Sequence, residues 1–158
     1  MATLRNGKPK EQKADKMAMA AIEEARMVLP GIQALFGFQL IAAFNDQFRQ
    51  LSEVDQTIHY VALTLVAGAV AIIMTPAAYH RLAERGEMSG FFVRLASILI
   101  ATAMLPLMVA LCLEVYLVGI VILHQRWLSV AVAGVLLILF TGLWYVFPLA
   151  MRRGRASR

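Results

Sequence analysis

The feature that most constrains this chain is an uncharged stretch of nineteen residues, Leu95 to Leu113. It lies in a longer apolar run, residues 91–123, that contains two charges, Arg94 and Glu114. A bilayer core of roughly 30 Å needs about 20 apolar residues of helix to cross it. The stretch also lacks the polar face that a soluble amphipathic helix presents. It is therefore predicted to be a membrane-spanning helix.

Composition supports a membrane protein. Hydrophobic residues make up 60% of the 158-residue chain, against roughly 45–50% in an ordinary soluble domain. The net charge of +5 comes from basic residues that flank apolar segments, which is typical of membrane anchors and argues against nucleic acid as a partner. The expected partner is the lipid bilayer.

The hydropathy pattern predicts an all-α protein, an integral membrane four-helix up-down-up-down bundle with an amphipathic N-terminal helix. That helix, near Ala18–Leu29, either lies on the membrane surface or extends the first span. The predicted divisions are a basic cytoplasmic segment, a four-span domain and a basic cytoplasmic tail: residues 1–26, 27–151 and 152–158. The spans are placed at about 28–48, 57–79, 91–122 and 128–150.

Basic residues are distributed unevenly between the two ends of the predicted bundle. With four spans, thirteen of the 15 Lys and Arg fall on the side of the termini, and Arg49 and Arg126 fall on the other. Cytoplasmic segments of membrane proteins are enriched in Lys and Arg. The chain is therefore expected in the bacterial inner membrane with both termini in the cytoplasm.

Three segments resemble a known family. They are EEARMVLPGIQALFGFQL at Glu23–Leu40, MTPAAYHRL at Met74–Leu82 and GLWYVFPL at Gly142–Leu149. These segments are similar to those of small bacterial four-helix membrane proteins that form a domain of unknown function. The resemblance implies the same four-helix fold from Glu23 onward, and it implies no activity or site residues.

Glu114 is the best single candidate for a functional residue. A carboxylate inside an apolar span is costly unless it is protonated, paired or hydrated. It either lines an ion path or pairs with Arg126 or His124 in a structural role, and the third helix either continues past it or breaks there. Further candidates for the ion path are Asp46, Gln39 and His59, although Asp46 and the histidines can equally be interfacial.

Small residues predict where helices pack closely. Ala96, Ala103 and Ala110 repeat every seven residues along the third span, and Gly68 lies on a small face of the second. Close approach drives helix association in lipid.

Three sulfur-containing residues of the third span follow at intervals of four: Met104, Met108 and Cys112. They are weak candidates for a path that passes a soft metal ion along the helix, since Met is also a common packing residue.

The sequence contains no phosphate-binding loop, catalytic triad or paired metal motif, so we expect neither an enzyme nor a cofactor. The leading hypothesis is a homo-oligomeric protein for ion permeation or ion coupling, with a cation or proton as the ion. The alternative is a non-catalytic accessory subunit that packs against a larger membrane complex. Sensing of anionic lipid through the basic N-terminus is a third possibility.

Overall fold

The computed structural model describes residues 8–83 and 90–156, and every regular element in these ranges is helical. We number the helices in chain order. They are α1 Lys8–Ala43, α2 Asp46–Arg49, α3 Glu53–Ala83, α4 Gly90–Leu123, α5 Arg126–Thr141 and α6 Phe147–Ala156, with a π-helical turn Gly142–Val146 between α5 and α6. The prediction of an all-α bundle is confirmed.

Four helical segments in the described ranges are long and apolar enough to cross a membrane: Arg26–Ala43, Glu53–Leu82, Gly90–Leu123 and Arg126–Arg153. The first belongs to α1, a single helix without a break between the predicted amphipathic helix and the first span. This agrees with the alternative in which the N-terminal helix extends the first span. The side chains of Ala18, Ala21, Ile22 and Ala25 lie outside the described residues, as do segments 1–7, 84–89 and 157–158.

The first span ends at Ala43 rather than at the predicted Phe48. The amides of Phe44 and Asn45 bond to carbonyls three residues back, which tightens and closes α1. The side chain of Asn45 then accepts a hydrogen bond from the Gln47 amide at 3.0 Å and caps the short helix α2. Asparagine favours such caps over a helix interior, so the chain turns here.

The core lies where α1, α3 and α4 meet, and α4 also packs against α5. Its buried side chains are small or aliphatic: Ile32, Ala62, Val66, Ala69, Ile73, Ala103, Leu107 and Ala110. Small residues let neighbouring helices approach closely, which is the main source of helix association in lipid.

The α1–α3 and α4–α5 connections, residues 44–52 and 124–125, lie at one end of the bundle, which we call the connection end. His124 has a φ of 52°, a left-handed conformation that stops α4 after Leu123. The third membrane helix therefore continues well past Glu114, which lies about 14 Å from the helix end at about 1.5 Å per residue.

Candidate functional site

The candidate site is a buried polar group in which three helices each contribute one side chain. Gln39 of α1 donates a hydrogen bond from Nε2 to Glu114 Oε1 of α4 at 2.9 Å. His59 of α3 places Nδ1 3.1 Å from the same oxygen. Gln39 and His59 are 3% and 4% exposed, and the Glu114 side chain is 17% exposed. The structure thus brings together three of the four predicted path residues.

The hydrogen-bond geometry requires a proton between His59 and Glu114. His59 Nε2 lies 3.0 Å from the backbone carbonyl oxygen of Gln39. That oxygen can only accept, so Nε2 carries the hydrogen, and in a neutral imidazole Nδ1 would then be an acceptor. Nδ1 faces a carboxyl oxygen, and two acceptors at 3.1 Å would repel each other. A proton on either the carboxyl group or Nδ1 makes this contact favourable.

A cavity of about 290 Å³ opens beside Glu114 and His59 toward the connection end. We call it the Glu114 cavity, and most of its wall is apolar. It is lined by Ala42, Asn45, Gln47, Phe48, Leu51, His59, Glu114, Leu117, Val118, Val121 and Ile122. The Phe48 ring meets the His59 ring edge-on, with centroids 4.9 Å apart. Glu114 and His59 are therefore accessible from this cavity.

On the opposite side of Glu114 the helices enclose the apolar core. Along α4 the buried residues there are Ala110, Leu107 and Ala103, and along α3 they are Ala62 and Val66. All of them are apolar, and an ion crossing this layer would lose its hydration without gaining a polar partner. Within the described residues, the site is therefore open toward one end of the bundle and closed toward the other.

A second polar cluster lies one helical turn from His59 along α3, and the sequence did not reveal it. Asp55 is 1% exposed. Its carboxylate accepts hydrogen bonds from Ser52 Oγ at 2.6 Å, Arg126 at 2.9 Å and the Tyr116 hydroxyl at 3.3 Å. The Asp55 amide in turn donates to Ser52 Oγ at 3.2 Å. This cluster joins the start of α3 to α4 and to the start of α5.

The remaining predicted site residues lie elsewhere. Asp46 begins α2, is exposed and does not line the Glu114 cavity. His124 is also exposed. Glu114 pairs with neither Arg126 nor His124, because Arg126 binds Asp55 and the exposed His124 forms the turn after α4. The structure therefore does not bring Asp46 together with Glu114, and its part in an ion path stays a prediction.

The predicted sulfur path does not form a shared site. Met108 and Cys112 are buried, and the Thr141 hydroxyl lies 3.7 Å from the Met108 sulfur. Cys112 faces a cavity beside α5, whereas Met104 faces a different cavity that also contains Glu24 of α1. No group of three or more His, Cys, Asp or Glu side chains able to hold a metal ion occurs in the described part of the chain.

The predicted packing residues divide into two groups. Ala96, Ala103 and Ala110 are buried, at 1%, 0% and 0% exposure, on the side of α4 that faces the other helices. Gly68 is exposed, and a Cβ atom placed on it would have no neighbour within 4 Å. Among the described residues, no neighbour packs against Gly68 on this face of α3, so its role in helix packing stays a prediction for contacts with another chain.

The fold and the composition together identify a multi-pass membrane protein of the all-α class. The chain belongs to the Family of unknown function (DUF6328), whose family model matches residues 7–148, and the resemblance to a domain of unknown function is thereby confirmed. No curated protein and no solved structure matches the chain.

Proposed function

We propose that this protein is an ion-coupled membrane protein whose Glu114–His59 pair binds and releases a proton in exchange for a cation. The observation that carries the proposal is the contact between His59 Nδ1 and Glu114 Oε1, which is favourable only with a proton in it. Loss of that proton leaves a net negative charge beside the Glu114 cavity. Intramembrane acids in such positions are typical of proton and ion pathways.

The apolar core favours coupling over free permeation. An open pore needs a continuous polar or wide path, whereas Ala62, Val66 and Ala110 close the terminal side of the site. A further cavity of about 220 Å³ lies beyond this layer, beside Glu24, Ile73, Met104 and Leu107. Passage between the two cavities therefore requires the helices to move, as in a carrier that exposes its site to one side at a time.

The same proposal includes the setting of the protein. The imbalance of basic residues between the two ends supports the bacterial inner membrane with both termini in the cytoplasm, which places the connection end outside. The protein acts as a homo-oligomer, without enzymatic activity or a resident cofactor. Asp46, which is exposed on α2 at the connection end, has no direct part in proton exchange.

Purified protein in liposomes containing a pH-sensitive dye tests the proposal. An imposed cation gradient should drive proton movement that depends on the protein. Glu114→Gln keeps the size and hydrogen-bonding capacity of the side chain but removes its charge, so we expect proton movement to fall at least about tenfold. Glu53→Gln is the matched control, because Glu53 is an exposed acid at the same end of the bundle.

Two results would contradict the proposal. One is a Glu114→Gln variant with unchanged proton movement, and the other is a wild-type protein that moves no protons under gradients of any common inorganic or organic cation. Size-exclusion chromatography of each variant shows whether a loss of movement reflects loss of the folded oligomer instead.

A second function is favoured by the exposed small face of α3. Thr64, Gly68, Ala71 and Thr75 lie on one side of the helix and are exposed, and both threonine hydroxyls bond to carbonyls of their own helix. Such a face suits close contact with another transmembrane helix. In an accessory subunit this partner belongs to a larger complex. Mild-detergent purification that recovers a stable heteromeric complex, with no proton movement by the isolated chain, would support this alternative.

A further inference from the structure

The Glu114 cavity joins an apolar wall to a single carboxyl group. Glu114 Oε1 is engaged by Gln39 and His59, while Oε2 has no hydrogen bond to the described residues and the side chain borders the cavity. The same face of α4 continues from Glu114 with aliphatic side chains that also line the cavity: Leu117, Val118, Val121 and Ile122. A hydrated metal ion gains nothing from such a wall, because its hydration is lost without replacement.

The Phe48 ring and the volume of the cavity further limit the chemical class of ligand that can bind. Phe48 borders the same cavity, and aromatic rings stabilise organic ammonium groups through their negative faces. The volume of about 290 Å³ equals that of about ten liquid waters at about 30 Å³ each, which is close to the lower range of small-molecule pockets. The polar side chains of Asn45 and Gln47 border the cavity near the connection end.

We propose that the Glu114 cavity binds an amphipathic organic monocation, an ammonium group on an apolar body. The inference rests on the proposed function, since it names the cation that exchanges with the proton. The ammonium group pairs with Glu114 Oε2 beside Phe48, and the apolar body fills the space along Leu117, Val121 and Ile122. An inorganic cation pairs with the Glu114 carboxylate but gains nothing from the apolar wall. A neutral apolar molecule fills the apolar space but leaves the carboxylate without a counter-ion.

Exchange balances in charge. With the proton present, the Glu114–His59 pair is neutral overall and has no charge to offer a cation. When the proton leaves to water through the cavity, the pair carries one negative charge, which the bound monocation neutralises. No covalent bond is formed or broken. Binding of one monocation therefore releases about one proton.

The pH dependence of binding should follow this pair. His59 is the titratable side chain in contact with Glu114, and α1 contributes the uncharged Gln39. Tyr116 and Arg126 each donate a hydrogen bond to Asp55 at the second polar cluster, and Asp46 and Arg49 of α2 are exposed. Where the pair holds its proton, the apparent Kd should rise about tenfold for each unit of lower pH.

Benzyltrimethylammonium is a suitable probe, because its charge does not titrate. Calorimetry on the detergent-purified protein, in buffers of different protonation enthalpy, measures both affinity and proton release. We expect saturable binding with about one proton released, no comparable binding of potassium or benzyl alcohol, and unchanged binding to the Glu53→Gln control. Glu114→Gln should lose proton release and at least about tenfold in affinity. Val121→Phe, which narrows the cavity, should weaken binding about tenfold or more.

The results separate this inference from the proposed function. Proton movement in liposomes that depends on Glu114, together with no binding of benzyltrimethylammonium at any pH, would overturn the inference and leave the proposed function standing. Binding that is equal in folded wild type, Glu114→Gln and Val121→Phe would place the ligand elsewhere and overturn it as well. The absence of proton movement under gradients of benzyltrimethylammonium as well as of inorganic cations would overturn both.

Discussion

The second polar cluster contains two charged side chains, Asp55 and Arg126. We expect the loss of each to destabilise the protein by a different amount. Asp55 is 1% exposed, whereas the Arg126 side chain is 59% exposed. Removing Arg126 leaves a buried carboxylate with two hydroxyl donors and no cation. Removing the charge of Asp55 leaves a guanidinium that water can solvate. Arg126→Met should therefore cost more free energy of unfolding than Asp55→Asn.

The magnitude follows from the burial of each group. Removing one partner of a fully buried ion pair costs about 3–5 kcal/mol. Solvent screening at Arg126 lowers this, because exposed pairs contribute only about 0–1 kcal/mol. Ser52 and Tyr116 still stabilise the carboxylate. We therefore expect about 2–3 kcal/mol for Arg126→Met. For Asp55→Asn we expect about 1–2 kcal/mol, from the loss of charge-assisted hydrogen bonds.

Unfolding by SDS, followed through the fluorescence of Trp127 and Trp144, measures both costs. The double variant should be less destabilised than the sum of the single variants, since each single change removes the same interaction. A cost for Asp55→Asn equal to or above that for Arg126→Met would refute the reasoning. So would additive costs in the double variant, which would mean that the two side chains do not stabilise each other.

Three further predictions concern packing and topology. Ala103→Leu should cost about 1–3 kcal/mol of the free energy of unfolding by overpacking a fully buried position. Gly68→Leu lies on an open face and should leave the stability of the protomer unchanged. Equal losses of stability in SDS unfolding would contradict this. Gly119→Ala places a Cβ 2.8 Å from Ser129 Oγ and should destabilise the α4–α5 contact by about 1–3 kcal/mol. Gly134→Ala is the control: its Cβ would have no neighbour within 4 Å, so it should be neutral or slightly stabilising. Glu53→Cys should react with a membrane-impermeant thiol reagent from outside the cell, and the wild-type chain, whose single cysteine is buried, should not; labelling only after permeabilisation would reverse the proposed orientation.

Hydropathy was sufficient to predict the four membrane helices, because crossing a bilayer requires long apolar segments whatever their packing. The orientation of Glu114 toward protein also followed from sequence, since helical periodicity places it one turn beyond Ala110. Its partners could not be predicted in this way. His59 and Gln39 lie on two other helices, and their position opposite Glu114 depends on how far each helix is shifted and rotated.

Asp46 and Asp55, two acids near the connection end, show what a local sequence pattern could have predicted. Asp46 and Asp55 lie in the same polar region of the sequence, yet Asp46 is exposed and Asp55 is buried. Ser52 followed by Asp55 three residues later has the spacing of a helix-capping pair, which indicates that Asp55 lies in the first turn of α3. That pattern could have identified Asp55, whereas its bonds to Tyr116 and Arg126 depend on tertiary structure.

The π-helical turn Gly142–Val146 has a consequence for changes in chain length. A π turn holds one residue more than an α turn and occurs as a local bulge in an otherwise regular helix. Deleting one residue within this turn should therefore restore a regular α-helix, with the faces of α5 and α6 kept in register. A deletion within Arg126–Thr141 would instead rotate one part of the helix against the other by about 100°. The segment 142–146 is thus where this helix tolerates the loss of one residue, at the expense of the hydrogen bond from the Tyr145 hydroxyl to the Ala101 carbonyl.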